Sequence, residues 1–346
     1  GTELAALMKK ACMPAAYSLM GAGVISCDDP LNLGMVGMHG CRTSNLALDN
    51  CDVMLAVGTR FSDRVALKPD QFGRRAKLIQ IDLDASEINK NVLVDVGIVG
   101  DVKDAFVRIA AAVAKQDHPE WREQVGKLCA REEQFETEQR ERAGEKLVPR
   151  RVLDIINQNK LPHTIITTDV GQHQMWSIKY LHFNYPGQLL TSGGFGTMGF
   201  GLGAAIGAQV GNPDKQVFHI AGDGCFRMNC HELCTVEHYN LPIISVVFNN
   251  GTLGMVRQWQ NLIYKKRFSQ TTLDFGPDFV KLAEAYGLRG FRVSTRAEME
   301  KALAEALACG TGAVIDCTLN IDEMVSPMVA AGSPITDFLL SEGGSV

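Results

Sequence analysis

Val217-Phe218-His219-Ile220-Ala221-Gly222-Asp223-Gly224 and Ile243-Ile244-Ser245-Val246-Val247-Phe248-Asn249-Asn250 bracket the stretch on which the reading of the whole chain turns. Each begins as a short apolar run of strand length. Between them Glu232, Leu233, Val236 and Glu237 recur at helical spacing, so the stretch is predicted to be a strand, helix, strand unit. Such a crossover is right-handed and its strands are parallel, which brings Asp223 and Asn250 to the same carboxyl edge of a sheet. A hard carboxylate and an amide oxygen in one crevice are the donors Mg²⁺ prefers when phosphates complete its shell. Either half alone would read as an ordinary Asp-Gly turn or an Asn-rich loop.

Outward from this unit the chain alternates helix and strand. Toward the carboxyl end follow a helix over 278–286, a strand over 290–293, a helix over 295–308 and a strand over 312–319. Toward the amino end lie strands near 164–169 and 188–191, then a run of small residues, 192–208, that leads into a helix. Residues 117–146 are crowded with Glu, Arg, Lys and Gln and read as a solvated helical linker. Before it, Cys51–Gly58, Lys77–Asp84 and Gly97–Gly100 read as strands, and Asp101 as the cap of a helix through Val113. The expected fold is α/β, with two doubly wound parallel-sheet domains: a Rossmann-like domain over 1–116, a charged linker over 117–148, and a second domain with a tail over 149–346.

The 346 residues suffice for two cores, and 46% apolar with 34 Gly suits an α/β protein. A net charge of −5 gives no electrostatic case for nucleic acid or an anionic membrane. No apolar run approaches the roughly 20 residues of a membrane span. Ten cysteines without a regular framework point to a reducing, cytoplasmic compartment. Cys225, Cys230, Cys234 and His231 hint at zinc, but no CxxC pair occurs there, and buried thiols are expected. The sequence starts at Gly1 rather than Met, so an absent upstream segment is expected.

Gly194-Phe195-Gly196-Thr197-Met198-Gly199 is a literal GxGxxG between strand and helix, which raises a nicotinamide dehydrogenase as a competing reading. That reading leaves Asn249-Asn250 without a task, whereas a diphosphate bridged by Mg²⁺ uses every piece. Gly222-Asp223-Gly224 with Asn249-Asn250 resembles the thiamine diphosphate motif. Gly171-Gln172-His173-Gln174-Met175-Trp176, Ser192 to Gly199, and Leu253-Gly254-Met255-Val256-Arg257-Gln258-Trp259-Gln260 resemble the acetohydroxyacid (acetolactate) synthase catalytic subunit. So do Gly34 to Gly40 and Gly58-Thr59-Arg60-Phe61-Ser62-Asp63-Arg64, which resemble that family's FAD-binding central domain, although the family usually has Ala and Asp at the positions of Thr59 and Ser62.

The resemblance implies that Asp223, Asn250 and the Thr252 carbonyl hold Mg²⁺. It implies that Val170, Gly171, Gln172, His173, Gly196, Met198, Gly222, Gly224 and Cys225 meet thiamine diphosphate together with Asp223 and Asn250. Met38, Arg64, Met198, Met255 and Trp259 would shape the substrate pocket and position the cofactor. Arg64 is suited to a carboxylate. Ser18, Leu19, Met20, Gly21, Met38, His39, Gly58, Arg60, Asp82 and Asp101 match flavin-contacting positions, for an FAD of structural role. The implied activity decarboxylates pyruvate on thiamine diphosphate and joins the two-carbon unit to a second 2-oxoacid, pyruvate or 2-oxobutyrate, in branched-chain amino acid biosynthesis. Alternatives are a glyoxylate carboligase or pyruvate oxidase type of enzyme, or an inactive nucleotide-binding module. The family's activating Glu belongs to an amino-terminal pyrimidine-binding domain, for which Glu232 is no substitute, so the chain reads as a fragment or one half of a split enzyme. Implied partners are 2-oxoacids, a second copy in a homodimer or homotetramer, a small regulatory subunit, and the chain or segment that carries the missing domain.

Overall fold

A computed structural model describes residues 1–339, apart from the Arg142 side chain; residues 340–346 of the expected tail lie outside the described residues. The chain divides into two compact units, Gly1–Glu138 together with the segment from Ser326, and Gln139–Val325.

The second unit is built on a six-stranded sheet in which every pairing is parallel. Its strand order is Arg289–Val293, Ala313–Thr318, Ile243–Asn249, Val217–Gly222, Ile165–Thr168, Leu189–Thr191. The two runs that opened the sequence reading are adjacent, with Val217 opposite Ile243 and Gly222 opposite Phe248. Both are buried along nearly their whole length, as strands covered by helices on both faces must be. The core between sheet and helices includes Leu202, Ala205, Phe226, Val236, Val247 and Phe279. Phe226 meets Phe279 edge to face, with ring centroids 5.3 Å apart.

The connection from Ile165–Thr168 runs to Leu189–Thr191 at one edge, and the connection from Val217–Gly222 runs the other way, to Ile243–Asn249. The gap between the carboxyl ends of Ile165–Thr168 and Val217–Gly222 is therefore the point where the winding reverses, the place where an open α/β sheet leaves a crevice. The crossover to Ile243–Asn249 is not one helix. It consists of Asp223–Asn229, a 3₁₀ turn at Cys230–Glu232, and Leu233–His238, so the helix starts at the end of the strand itself.

The first unit carries a parallel three-stranded sheet in the order Val53–Val57, Lys77–Asp82, Val96–Val99, and a parallel pair, Ala15–Tyr17 with Asn32–Met35. Asp101 caps the helix Val102–Ala112 by accepting from the Lys103 and Asp104 N–H groups at 2.8 and 3.2 Å. The expected linker is a helix, Pro119–Ala143, but its first half is not merely solvated. Val125 is buried, Trp121 and Leu128 pack with it against Leu33 and Ala47, and the Leu128 carbonyl accepts from Thr43 Oγ1 at 3.1 Å.

The tail departs from the sequence reading, which placed it in the second domain. From Ser326 it belongs with the first unit. The Val329 N–H bonds the Met38 carbonyl at 2.8 Å, Gly332 N–H bonds the Leu67 carbonyl at 3.1 Å, and Asn45 Nδ2 donates to the Ile335 carbonyl at 3.2 Å. These are long-range bonds, two between backbone groups and one from a side chain, that local sequence pattern does not encode. The cysteine expectation holds only in part: Cys225 is buried, Cys230 is half-buried and Cys234 is exposed. Among the described residues no group of three or more His, Cys, Asp or Glu side chains could hold a metal. No helix among them is long and apolar enough to cross a membrane.

Removal of the Phe226 ring tests this core directly. Phe226→Ala is expected to destabilise the second unit by about 3–5 kcal/mol, seen as a lower urea midpoint. A loss below about 1 kcal/mol would mean that the ring is not the keystone of that layer.

Candidate functional site

Three loops meet at the reversal point, each following a strand. Val170–His173 follows Ile165–Thr168, Gly222–Cys225 ends Val217–Gly222, and Asn250–Val256 follows Ile243–Asn249. Together with Met198 they line one crevice. Glycine is required where the loops pack closest. A Cβ on Gly254 would collide with Gln172 Oε1, and one on Gly222 would sit 3.0 Å from His173 Nδ1. At Gly224 it would stand 3.0 Å from Leu253 and 3.6 Å from the Met198 methyl. The walls are therefore backbone, open to close approach by a ligand.

Asp223 is the group in this crevice that most needs a ligand. It is 2% exposed, and its Oδ2 is buried with no hydrogen-bond partner among the described residues. Burial pushes its carboxyl up to about 6, against the opposing backbone N–H of Gly224 and the charge of Arg227. His173 is also buried, with Nε2 unpartnered among the described residues, and burial lowers it to about 4, so it is neutral at pH 7. Cys225 points its thiol at the Val170 carbonyl at 3.2 Å, and burial pushes it up to about 12, so it is an inert wall rather than a nucleophile. Asn250 donates Nδ2 to Gln172 Oε1 at 3.3 Å, and its Oδ1 accepts from the Thr252 N–H at 3.3 Å.

The chemistry of this donor set suits Mg²⁺ with a diphosphate. One carboxylate oxygen lacks a partner, an amide oxygen stands nearby in the chain's own fold, and neutral His173 with the glycine backbone offers donors to phosphate oxygens. The deficit of the crevice is a positive charge.

Behind the loops lies a second network. Asp169 Oδ2 stands 3.0 Å from His219 Nε2, His219 Nδ1 stands 3.2 Å from Ser245 Oγ, and the Gly201 N–H donates to Asp169 Oδ1 at 3.0 Å. Burial works to raise the Asp169 carboxyl, but its hydrogen bond and charge pairing with His219 outweigh it, and the carboxyl lies below its usual range. All three side chains are buried to 1% exposure or less, so the trio cannot meet a substrate and anchors the Val170 loop to the sheet.

Of the positions named from sequence, Val170, Gly171, Gln172, His173, Met198, Gly222, Asp223, Gly224, Cys225, Asn250, Thr252 and Met255 line the crevice. Gly196 and Trp259 do not; Gly196 is exposed, and Trp259 is half-buried on the helix Gly254–Leu262. Glu232 lies on the 3₁₀ turn, where it accepts from Thr235 Oγ1 at 2.7 Å, away from the crevice. In the first unit Gly58, Asp82 and Asp101 fall at the carboxyl ends of its three strands, while Met38 and His39 are buried. Burial lowers His39 to about 4, and its Nδ1 is buried without a partner among the described residues. The Asp101 carboxylate is used as a cap, and Asp82 Oδ1 accepts from the Asp84 N–H at 2.9 Å. Met38 N–H bonds the Arg64 carbonyl at 2.8 Å, and the exposed Arg64 guanidinium pairs with Asp63 at 2.7 Å. The sequence reading missed Leu253, Gly254 and Gln258 as parts of the site or its support, although all three lie inside the quoted motif.

Comparison with known proteins agrees with this geometry. The model of the thiamine pyrophosphate enzyme C-terminal TPP binding domain matches residues 169–317, and that of the thiamine pyrophosphate enzyme central domain matches residues 1–109. The chain belongs to the thiamine pyrophosphate enzymes. Within them it is similar to large subunits of acetolactate synthase. It is 41% identical to the probable acetolactate synthase large subunit of Methanocaldococcus jannaschii and 42% identical to that of Methanococcus aeolicus, each over 97% of this chain and 58% of the relative. It is 37% identical to the acetolactate synthase isozyme 2 large subunit of Escherichia coli, over 94% of this chain and 58% of that one. The chain thus spans somewhat more than half the length of the curated relatives it matches.

The raised Asp223 carboxyl has a signed consequence for stability. Its folded value, about 6, lies above its ordinary 3.8, so the folded protein holds this proton more tightly than the unfolded chain. The contribution is full below the ordinary value and is lost as pH rises through about 6. In metal-free protein Asp223→Asn is therefore expected to stabilise the fold at pH 7.5 by about 3 kcal/mol at most relative to wild type, read as a higher melting temperature, and to make little gain at pH 4. An equal gain at both pH values would contradict the assignment.

Proposed function

We propose that this chain is the diphosphate-holding and substrate-facing portion of an acetolactate synthase, which forms acetolactate from two pyruvates, or acetohydroxybutyrate when 2-oxobutyrate is the acceptor. The observation that carries the reading is the unpartnered, buried Asp223 oxygen beside Asn250 at the reversal point of the sheet, in a chain that resembles acetolactate synthase large subunits along nearly its whole length. Mg²⁺ would be held by Asp223, Asn250 and the Thr252 carbonyl, and the diphosphate by His173, the backbone N–H of Gln172, whose side-chain amide is already fully bonded, and the backbone around Gly224. Thiamine diphosphate, when bound, supplies the electron sink that decarboxylation of a 2-oxoacid needs.

The chain's own contribution is orientation and charge. Asp223 would offset the charge of a bound metal, which would remove the cost of its own burial. Neutral His173 is able to donate to a phosphate oxygen without adding charge. Met198, on the crevice wall, would supply an apolar surface to the bound cofactor. On the helix Gly254–Leu262, Met255 faces the crevice, and Trp259, by its similarity to the family, shapes the acceptor pocket. In the first unit the Arg64–Asp63 pair is exposed and therefore weak, and its guanidinium can exchange that partner for a 2-oxoacid carboxylate. The strand ends at Gly58, Asp82 and Asp101, with Ser18 to Gly21, Met38, His39 and Arg60, would hold a structural FAD. The protein would work in the cytoplasm as a homodimer or homotetramer, with a small regulatory subunit and a pyrimidine-binding domain that supplies the activating Glu. Domain limits of 1–116 and 149–346 follow from the same reading, with the tail from Ser326 returned to the first unit.

The test joins this chain, in cis or in trans, to a pyrimidine-binding domain and assays acetolactate from pyruvate with thiamine diphosphate, Mg²⁺ and FAD. Acetolactate is expected, and its absence would remove the reading. In the same preparation Asp223→Ala is expected to abolish retention of thiamine diphosphate while flavin absorbance persists. Loss of both cofactors together would contradict separate sites in the two units.

A further inference from the structure

Three side-chain amides, Asn250 and Gln172 on the crevice wall and Gln258 behind it, form one line of hydrogen bonds that ends on backbone. Gln258, 1% exposed on the helix Gly254–Leu262, accepts from the Val325 N–H at 2.8 Å through Oε1 and donates Nε2 to the Val325 carbonyl at 2.9 Å. Its Oε1 also accepts from Gln172 Nε2 at 2.9 Å. Gln172, 4% exposed, gives the second hydrogen of the same amide to the Glu323 carbonyl at 2.8 Å. Its Oε1 then faces Asn250, which donates Nδ2 to it at 3.3 Å.

The two ends of a carboxamide are nearly equal in shape but opposite in hydrogen-bonding role, so its orientation is decided by a partner that cannot exchange roles. A backbone N–H only donates and a backbone C=O only accepts. Val325 therefore fixes Gln258 with its oxygen toward the N–H and its nitrogen toward the carbonyl. Gln258 and the Glu323 carbonyl then fix the nitrogen of Gln172, and Gln172 fixes the nitrogen of Asn250. The other end of Asn250 is its oxygen, where the Thr252 N–H at 3.3 Å requires the same polarity and leaves a second lone pair for a cation. Were the line reversed at any member, an NH₂ group would stand where a cation's ligand is needed.

The geometry points to Gln258 as a positioning residue for the metal: it does not line the crevice, and it acts through Gln172 to present Asn250 Oδ1, rather than Nδ2, as the ligand atom. This rests on the Mg²⁺–diphosphate reading given above. The role explains why a glutamine is buried beside a glycine-lined loop, since an unpaired amide there would cost more than an apolar side chain. It also explains the requirement at Gly254, where a Cβ would meet both Gln172 Oε1 and Asn250 Nδ2. The line is thus packed as well as bonded. Because Val325 and Gln258 are separated by 67 positions, a distant piece of backbone joins the local Thr252 N–H in setting the polarity of the metal ligand.

The intact protein is titrated with Mg²⁺ in the presence of thiamine diphosphate, with the rise in melting temperature as the signal. Gln258→Leu removes the line's anchor, and Gln258→Glu keeps the length but sets a carboxylate oxygen against the Val325 carbonyl. Both are expected to raise the Mg²⁺ concentration at half-effect by about 10-fold, as for other residues that orient a metal ligand. On an Asn250→Asp background a carboxylate presents oxygen in either orientation, so the addition of Gln258→Leu is expected to produce no further weakening. An unchanged Mg²⁺ half-effect in either single variant with native circular dichroism would overturn the inference. Equal weakening on both backgrounds would also overturn it, and would make Gln258 a packing residue. Failure of the wild-type protein to show any Mg²⁺-dependent stabilisation by thiamine diphosphate would instead remove the magnesium reading on which the inference stands.

Discussion

A carboxylate held almost wholly out of water, with one oxygen lacking a partner among the described residues, is the constraint from which the rest of the second unit can be understood. Folding alone would not place Asp223 there, because burial of an unpaired charge is among the costlier things a chain can do. The cost is tolerated at a position where the sheet's winding reverses and three loops leave backbone exposed. Lone sites of this kind are expected where a ligand, rather than the protein, completes the electrostatics. The nearby groups agree in sign: His173 is kept neutral, Cys225 is kept protonated, and the glycines keep side chains out of the way.

Two polar networks, one buried and one reaching the surface, hold the loops that carry this site. On one side Asp169, His219 and Ser245 tie the start of the Val170 loop to the middle of the sheet and to the amino end of the helix Phe200–Gly211. By residue type they could be mistaken for a nucleophilic triad, but their burial denies them a substrate. On the other side Asn249 Nδ2 donates to Asp316 Oδ1 at 2.9 Å, and Arg292 meets Asp316 at 3.2 Å and Asp278 at 2.7 Å, which fixes the strand end from which Asn250 projects. The Gln258 line adds the third restraint. Low local dielectric makes such networks rigid when they are fully satisfied, which is what a metal ligand requires of its support.

Much of this was legible in the sequence because it depends on local rules. The apolar runs 217–221 and 243–248, the helical spacing between them and the handedness of a crossover were enough to bring Asp223 and Asn250 to one edge. The helix cap at Asp101 and the strands ending at Gly58 and Asp82 followed from the same signals. What escaped depends on non-local pairing. The tail from Ser326 looks like an extension of the second domain until Val329 and Gly332 bond to Met38 and Leu67. The linker helix looks solvated because three apolar residues, Trp121, Val125 and Leu128, are diluted among charges, although their spacing of four and three is that of one helical face. Gln258 reads as an ordinary polar helix position, since nothing local to it announces a partner at Val325.

The central claim is that Asp223 and Asn250 hold a divalent cation that bridges to a diphosphate. Pulsed electron paramagnetic resonance of the protein loaded with Mn²⁺ and thiamine diphosphate tests it most directly, because it detects phosphorus bound through oxygen to the metal. The account predicts a ³¹P coupling to protein-bound Mn²⁺ that disappears in Asp223→Ala. Protein-bound Mn²⁺ without any ³¹P coupling, or a coupling that survives in Asp223→Ala, would contradict it.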